Sequence, residues 1–116
     1  MPLTNQQYDR LMHEYDERRM NSKRRLDLRT EKVCSAIPEI KEIEEKYAQA
    51  ALRAKKAGFD GVEIHSVGYY LGQQFLSKTA NIRTDEYGGS RENRMRFHLN
   101  IIRRIRELCG KDFVIN

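Results

Sequence analysis

The chain has 116 residues and carries 22 lysines and arginines against 17 aspartates and glutamates, a formal net charge of +5. A chain of this length can form one small domain with its own core, but an enzyme barrel of about 250 residues cannot be built from it. Hydrophobic residues make up 39% of the chain, which lies outside the apolar-poor composition of disordered proteins. We therefore expect a single small folded domain.

The sequence contains no signal for membranes, secretion or metal binding. No apolar run approaches the roughly 18 to 20 residues of a membrane span, and the first residues lack the pattern of a signal peptide. Cys34 and Cys109 show no Cys-x-x-Cys or Cys/His spacing, so we expect two reduced thiols and no metal. The basic residues are spread over both halves, which favours a solvated surface. We expect a cytoplasmic protein with no membrane or nucleic-acid partner.

Residues 1–38 are predicted to form a charged N-terminal helical segment. Thr4 and Gln7 have the spacing of a capping box at a helix start. One apolar stripe follows, formed by Tyr8, Leu11, Met12 and Tyr15. Pro38 predicts a boundary, because the residue before a proline is disfavoured in a helix whereas proline itself suits a helix start. We therefore divide the chain into this segment and a second region, residues 39–116.

The first half of the second region predicts one helix–strand step. Apolar spacing indicates a helix from Glu39 to about Ala57, which Gly58 ends. The β-branched residues of Val62–His65 then predict a short strand, and a short helix is predicted over Leu71–Leu76. This order of elements is typical of an α/β fold.

A third helix and a second strand follow. The helix is predicted from Arg91 to about Leu108, with Ser90 as its N-cap and Gly110 at its end. Its predicted apolar face comprises Met95, Phe97, Leu99, Ile101, Ile102, Ile105 and Leu108. The strand is predicted over Phe113–Ile115. Polar residues around the helix start predict a structural network: Asn81, Arg83, Asp85, Glu92, Asn93 and Arg94.

Four strings in the second region occur in an order and spacing that is specific to one family. They are GFDGVEIH at residues 58–65, QFLS at 74–77, N-x-R-T-D-E-Y-G-G-S-x-E-N-R-x-R-F at 81–97, and G-x-D-F-V at 110–114. These strings resemble the Old Yellow Enzyme family of FMN-dependent NAD(P)H oxidoreductases. That family folds as an eight-stranded barrel, so the resemblance implies a partial TIM (β/α)8 barrel of about two βα units after a long N-terminal helix.

The resemblance implies reduction of an activated C=C bond, as in an enone, by NAD(P)H through FMN. In the family a histidine at a strand end donates a hydrogen bond to the substrate oxygen, and a tyrosine supplies the proton. His65 matches the histidine, as a catalytic and substrate-binding residue, and Tyr70 matches the tyrosine. Tyr69 is the alternative if Gly68-Tyr69 is a shifted copy of the motif's Gly-Tyr pair. As bare residues, all three aromatic side chains also fit a packing role.

Two departures from the family pattern predict impaired chemistry. Gly68 stands where the family has a second donor, His or Asn, and losing one such donor costs about 3 to 4 kcal/mol in comparable sites. Most of the family's FMN-binding positions lie outside this chain, and no G-x-G-x-x-G phosphate loop occurs. We therefore expect this chain alone to be an incomplete or inactive oxidoreductase.

A second resemblance leaves a non-enzymatic alternative open. Residues 1–44, with LTNQQYDRLMHEYDERR and KVCSAIPEIKEIE, weakly resemble the N-terminal segment of bacterial replicative helicase-loader ATPases. No P-loop is present, so no ATPase activity is implied. The alternatives are an interaction module that binds a replication partner through residues 1–38, or a gene-fusion remnant. Two strands would leave open sheet edges, so we also expect self-association.

Overall fold

The computed structural model describes residues 6–7, 9–10, 13–14, 32–68 and 70–116. The six described residues before position 15 are helical, and Arg10 lies 3.5 Å from Glu14 in an i,i+4 ion pair. The predicted apolar stripe of this segment and its capping residue Thr4 fall outside the described residues. No helix in the described ranges is long and apolar enough to cross a membrane.

Three α-helices follow a one-turn 3-10 helix at Lys32–Cys34. They are α1 (Ile37–Lys56), α2 (Leu71–Leu76) and α3 (Arg91–Cys109). The predicted helix start at Glu39 is two residues late, since α1 begins at Ile37, and Pro38 lies in its first turn, as expected for a proline at a helix start. The first turn tolerates proline since its N–H groups have no acceptor within the helix.

Two short parallel strands, β1 (Gly61–Val62) and β2 (Val114–Ile115), form the sheet, with Gly61 opposite Val114 and Val62 opposite Ile115. The predicted strand Val62–His65 is too long, although pairing persists where the Ile64 N–H donates to the Asn116 carbonyl at 2.8 Å. Parallel strands need a long crossover connection, and here that connection contains α2 and α3. The predicted alternation of helices and strands is therefore confirmed, with shorter strands.

The core lies between α1, α3 and the sheet. Its centre is aromatic: the rings of Phe75 and Phe97 stack with centroids 4.3 Å apart. The fully buried apolar residues are Val33, Ile40, Ala48, Ala51, Phe75, Tyr87, Phe97, Ile101 and Ile105. The apolar face of α3 is correctly predicted, but its centre is formed by the buried Phe97, Ile101 and Ile105. Met95, Leu99 and Ile102 lie at its edges and are only partly buried. Both cysteines are free thiols, Cys34 exposed and Cys109 buried.

A buried carboxylate ties α1 to the rest of the core. Glu44 accepts a hydrogen bond from the Tyr87 hydroxyl at 2.8 Å and from Asn100 Nδ2 at 3.1 Å. Burial raises the pKa of Glu44, and burial together with the hydrogen bond to Glu44 raises the pKa of Tyr87. This contact joins α1, the loop before α3, and α3 itself.

Five of the six residues predicted to form a polar network around the start of α3 make hydrogen bonds there: Asn81, Arg83, Asp85, Asn93 and Arg94. Asn81 Nδ2 donates to the carbonyls of Phe75 and Tyr87, both at 2.8 Å, and Asn93 Nδ2 donates to the Gly88 carbonyl at 2.9 Å. Ser90 caps α3 as predicted, since its Oγ accepts from the Asn93 N–H at 3.2 Å. The network is structural, because its amide groups satisfy backbone atoms of the loop.

Candidate active site

The candidate site lies at the carboxyl end of β1. His65 follows Ile64, the last residue hydrogen-bonded to the neighbouring strand, and its side chain is exposed. In α/β folds the carboxyl ends of parallel strands carry the functional side chains, because the loops that follow them converge there. The structure therefore places His65 where catalytic residues of this fold class occur.

Tyr70 lies beside His65. Their ring centroids are 5.3 Å apart with an angle of 56° between the planes, and Tyr70 is 52% exposed. Tyr70 is the residue before α2, and its carbonyl accepts the Gln74 N–H at 3.0 Å. The structure thus brings the two predicted residues together on an accessible surface. The alternative, Tyr69, lies outside the described residues.

A tight turn brings Tyr70 back toward His65. Gly68 has φ +66°, in the left-handed region, and the Tyr70 N–H donates to the Val67 carbonyl at 3.3 Å. A Cβ built on Gly68 would lie 3.3 Å from Cε2 of Tyr70. A side chain at position 68 would therefore be strained by the backbone and crowded by the tyrosine, except that asparagine adopts this conformation more readily than other residues.

Behind this pair, Ser66 contacts a histidine that sequence reasoning missed. Ser66 Oγ and His98 Nε2 are 2.7 Å apart, and burial lowers the pKa of His98. His98 follows the core residue Phe97 on α3, with ring centroids 5.6 Å apart. A polar ring next to the core stripe of a helix is the only signal in the sequence that could have indicated His98.

A cavity of about 270 Å³ lies elsewhere and does not fit a flavin phosphate. It is lined by Cys34, Ile82, Arg83, Thr84 and Asp85. Nε and Nη2 of Arg83 donate to the Asp85 carboxylate. Its Nη1 donates to the carbonyls of Val33 and Ser35, at 2.8 Å and 2.6 Å respectively. The Arg83 hydrogen bond lowers the pKa of Asp85. Because every nitrogen of this guanidinium already donates to the protein, the cavity has no free cation for a phosphate.

Metal chemistry has no candidate ligand set in the described part of the chain. No group of three or more His, Cys, Asp or Glu side chains there could hold a metal ion.

Parallel strands joined through helices define the α/β class of folds, in which the loops after the strands commonly carry the functional side chains. The family is identified by a direct match: the model of the NADH:flavin oxidoreductase / NADH oxidase family matches residues 7–116. The chain belongs to this family, and the resemblance to the Old Yellow Enzyme family is confirmed. The match begins well before residue 39, where we placed the start of the resemblance.

Individual relatives agree with this family. The chain is 55% identical over 80 residues to an NADH oxidase of Thermoanaerobacter brockii, covering 69% of this chain and 12% of that protein. It is 51% identical over 80 residues to a cinnamate reductase of Clostridium sporogenes, covering 67% of this chain and 12% of that protein. A structure of morphinone reductase in complex with tetrahydroNAD matches with a TM-score of 0.65 and 49% identity, covering 70% of this chain and 23% of that one. The chain spans under a quarter of each.

Proposed function

We propose that this chain carries the substrate-side part of the active site of an FMN-dependent NAD(P)H oxidoreductase that reduces an activated C=C bond. The observation that carries the proposal is the pairing of His65 and Tyr70, whose rings lie 5.3 Å apart at the carboxyl end of β1. The likeness to morphinone reductase supports a partial (β/α)8 barrel as the fold, with β1 and β2 as neighbouring barrel strands.

In this proposal His65 and Tyr70 have different roles. The imidazole N–H of His65 donates a hydrogen bond to the carbonyl oxygen of an enone-type substrate, where negative charge develops as the alkene is reduced. The hydroxyl of Tyr70 delivers the proton to the carbon next to that carbonyl. Both side chains are exposed on the same face, so one small molecule can contact both.

FMN and NAD(P)H are the proposed cofactors of the complete enzyme, by family membership. The cavity beside Cys34 offers no unpaired cation for the flavin phosphate, because its arginine is already bonded to Asp85 and to two backbone carbonyls, and most of the family's FMN-binding positions lie outside this chain. We therefore assign the segment to substrate binding and protonation, and expect little or no turnover from this chain alone.

The proposal is tested in a hybrid enzyme. The segment of morphinone reductase that matches this chain is replaced by the corresponding residues of this chain, and reduction of morphinone by the hybrid is compared with that by the parent enzyme. The hybrid should be active but slower than the parent enzyme, because Gly68 supplies no second donor, and His65→Ala should lower its kcat by a further factor of about 100 because the first donor to the developing oxyanion is lost. An equally active His65→Ala hybrid would contradict the proposed role of His65.

Gly68 supplies a matched pair of variants for the missing donor. Gly68→Asn should raise kcat of the hybrid by about 100-fold, because asparagine tolerates the left-handed backbone and adds a donor. Gly68→Ala adds no donor and should not raise it. If the two variants behave alike, the second donor is not what limits this site.

A further inference from the structure

Ser66 and His98 form a contact directly behind the candidate site. Ser66 is the residue after His65, and its Oγ lies 2.7 Å from Nε2 of His98 on α3. The same Oγ lies 3.4 Å from the Ile64 carbonyl oxygen. One side chain therefore links the end of β1 to α3.

Gly72, close to Tyr70 in the chain, packs against the same Ser66–His98 contact. It is buried in α2, two residues after Tyr70. A Cβ built on Gly72 would lie 2.5 Å from Ser66 Oγ and 3.0 Å from His98 Nε2. Only glycine permits this approach, so the His65 end and the Tyr70 end of the loop meet at one contact with α3.

The hydrogen-bond pattern indicates which tautomer His98 adopts. Its Nδ1 is buried and has no hydrogen-bond partner among the described residues. A buried N–H without an acceptor is rarer and costlier than a lone pair without a donor. The hydrogen therefore lies on Nε2, which donates to Ser66 Oγ, and the Ser66 hydroxyl donates in turn to the Ile64 carbonyl.

We propose that Ser66 and His98 are positioning residues: their hydrogen bond holds the end of β1 against α3 and thereby sets the distance between the rings of His65 and Tyr70. This inference rests on the proposed function, because the distance between the two rings matters for catalysis only if His65 and Tyr70 act on the same substrate. Neither Ser66 nor His98 has to contact the substrate.

The test uses nuclear magnetic resonance on the full chain. Long-range ¹H–¹⁵N correlation spectra distinguish the two neutral tautomers of His98, and the cross-relaxation peak between the rings of His65 and Tyr70 reports their distance. We expect the Nε2–H tautomer and a clear peak in the natural chain. Observation of the Nδ1–H tautomer would overturn the hydrogen-bond chain.

Four variants separate positioning from packing. Ser66→Ala and His98→Leu should weaken the ring–ring peak several-fold, whereas Ser66→Thr and His98→Gln retain the bonding groups and should preserve it. Ser66→Ala removes a single oxygen, so it keeps the test valid if His98→Leu fails to fold. Arg103→Gln, an exposed change on the same helix, is the control and should leave the peak unchanged. An unchanged peak in Ser66→Ala would refute the proposal.

These spectra are recorded without substrate or cofactor, so they stand apart from the proposed function. If the peak depends on Ser66 but His65→Ala leaves the hybrid enzyme unaffected, the positioning role holds and the catalytic role fails. If His65→Ala inactivates the hybrid while Ser66→Ala leaves the peak intact, the reverse is true.

Discussion

Two loops of this protein carry most of its family strings, and they use polar residues in opposite ways. In the loop before α3, Asn81, Arg83 and Asp85 bond to carbonyls, N–H groups and each other. In the loop after β1, His65 and Tyr70 present their rings to solvent. The longest family string therefore maintains the fold, whereas the candidate chemistry lies in the shorter loop.

The difference follows from what each loop connects. The loop before α3 covers the core: Tyr87 is fully buried, and Arg83 reaches back to the carbonyls of Val33 and Ser35 beside α1. Polar groups in that setting must be paired, since an unpaired buried donor or acceptor costs about 1 to 3 kcal/mol. In the loop after β1, the polar side chain of Ser66 contacts His98 on α3, whereas the side chains of His65 and Tyr70 are exposed. Substitutions in the two loops should therefore affect different properties.

The largest expected effect on stability is that of Arg83→Ala. The Arg83 side chain is 9% exposed, and its loss removes the guanidinium donors to the Asp85 carboxylate and to the carbonyls of Val33 and Ser35. We expect the free energy of unfolding to fall by about 3 kcal/mol, measured by urea denaturation. The exposed control Arg103→Gln should change it by less than about 0.5 kcal/mol. A loss of the same size in both would mean that the loop network contributes little.

Tyr87→Phe should have the next largest effect. It removes the hydroxyl that donates to the buried carboxylate of Glu44 at 2.8 Å, and a hydrogen bond to a charged group contributes about 2 kcal/mol. The matched control is Tyr47→Phe, since Tyr47 is half-buried against Phe97 at the edge of the same core. Urea denaturation of both variants should show the larger loss for position 87, and equal losses would contradict the role of the buried pair.

The raised pKa of Glu44 makes the free energy of unfolding depend on pH. Burial raises its pKa above the 4.5 of a free glutamate, so the folded state favours the protonated form. Its contribution to the free energy of unfolding is therefore full below pH 4.5 and falls as the pH rises through the folded-state pKa. Asp85 has the opposite sign because its pKa is lowered. The difference between the natural chain and Glu44→Gln isolates the Glu44 contribution.

Thermal melts across this pH range measure that difference. Relative to Glu44→Gln, the natural chain should lose stability as the pH rises above 4.5. If it instead gains stability, the hydrogen bonds from Tyr87 and Asn100 outweigh the cost of burying the charge.

The sequence predicted helix bounds correctly where they are set by capping or stop residues close by in the chain. The bounds of α2, the Ser90 cap and the stop of α3 at Gly110 depend on nearby atoms alone, and the structure confirms them. The strands are shorter than expected because their extent depends on the partner strand, which β-branched residues do not indicate. The Val62 carbonyl accepts from the Asn116 N–H at 3.0 Å, and no local pattern around Val62 indicates a partner so far along the chain.

The buried polar contacts could not be predicted from the sequence for a related reason. A glutamate on a charged helix is expected to have a solvated side chain, yet Glu44 is buried. Its hydrogen-bond partners Tyr87 and Asn100 lie 43 and 56 residues away in the chain, so no local pattern indicates them. His98 is similar, since its partner Ser66 lies 32 residues away. His65 and Tyr70 were predicted through the family strings, and their proximity depends on a turn at Gly68 that the strings do not describe.

The smallest stability effects are expected for His65→Ala and Tyr70→Phe. Both side chains are exposed, and surface substitutions usually change the free energy of unfolding by less than about 0.5 kcal/mol. Urea denaturation of the two variants beside Arg83→Ala tests the contrast between the loops directly. A loss above about 2 kcal/mol for His65→Ala would show that the His65–Tyr70 ring contact stabilises the loop, and would favour the packing interpretation of these residues over the catalytic one. Tyr70→Phe keeps that ring contact, so this variant reports on the loss of the hydroxyl alone.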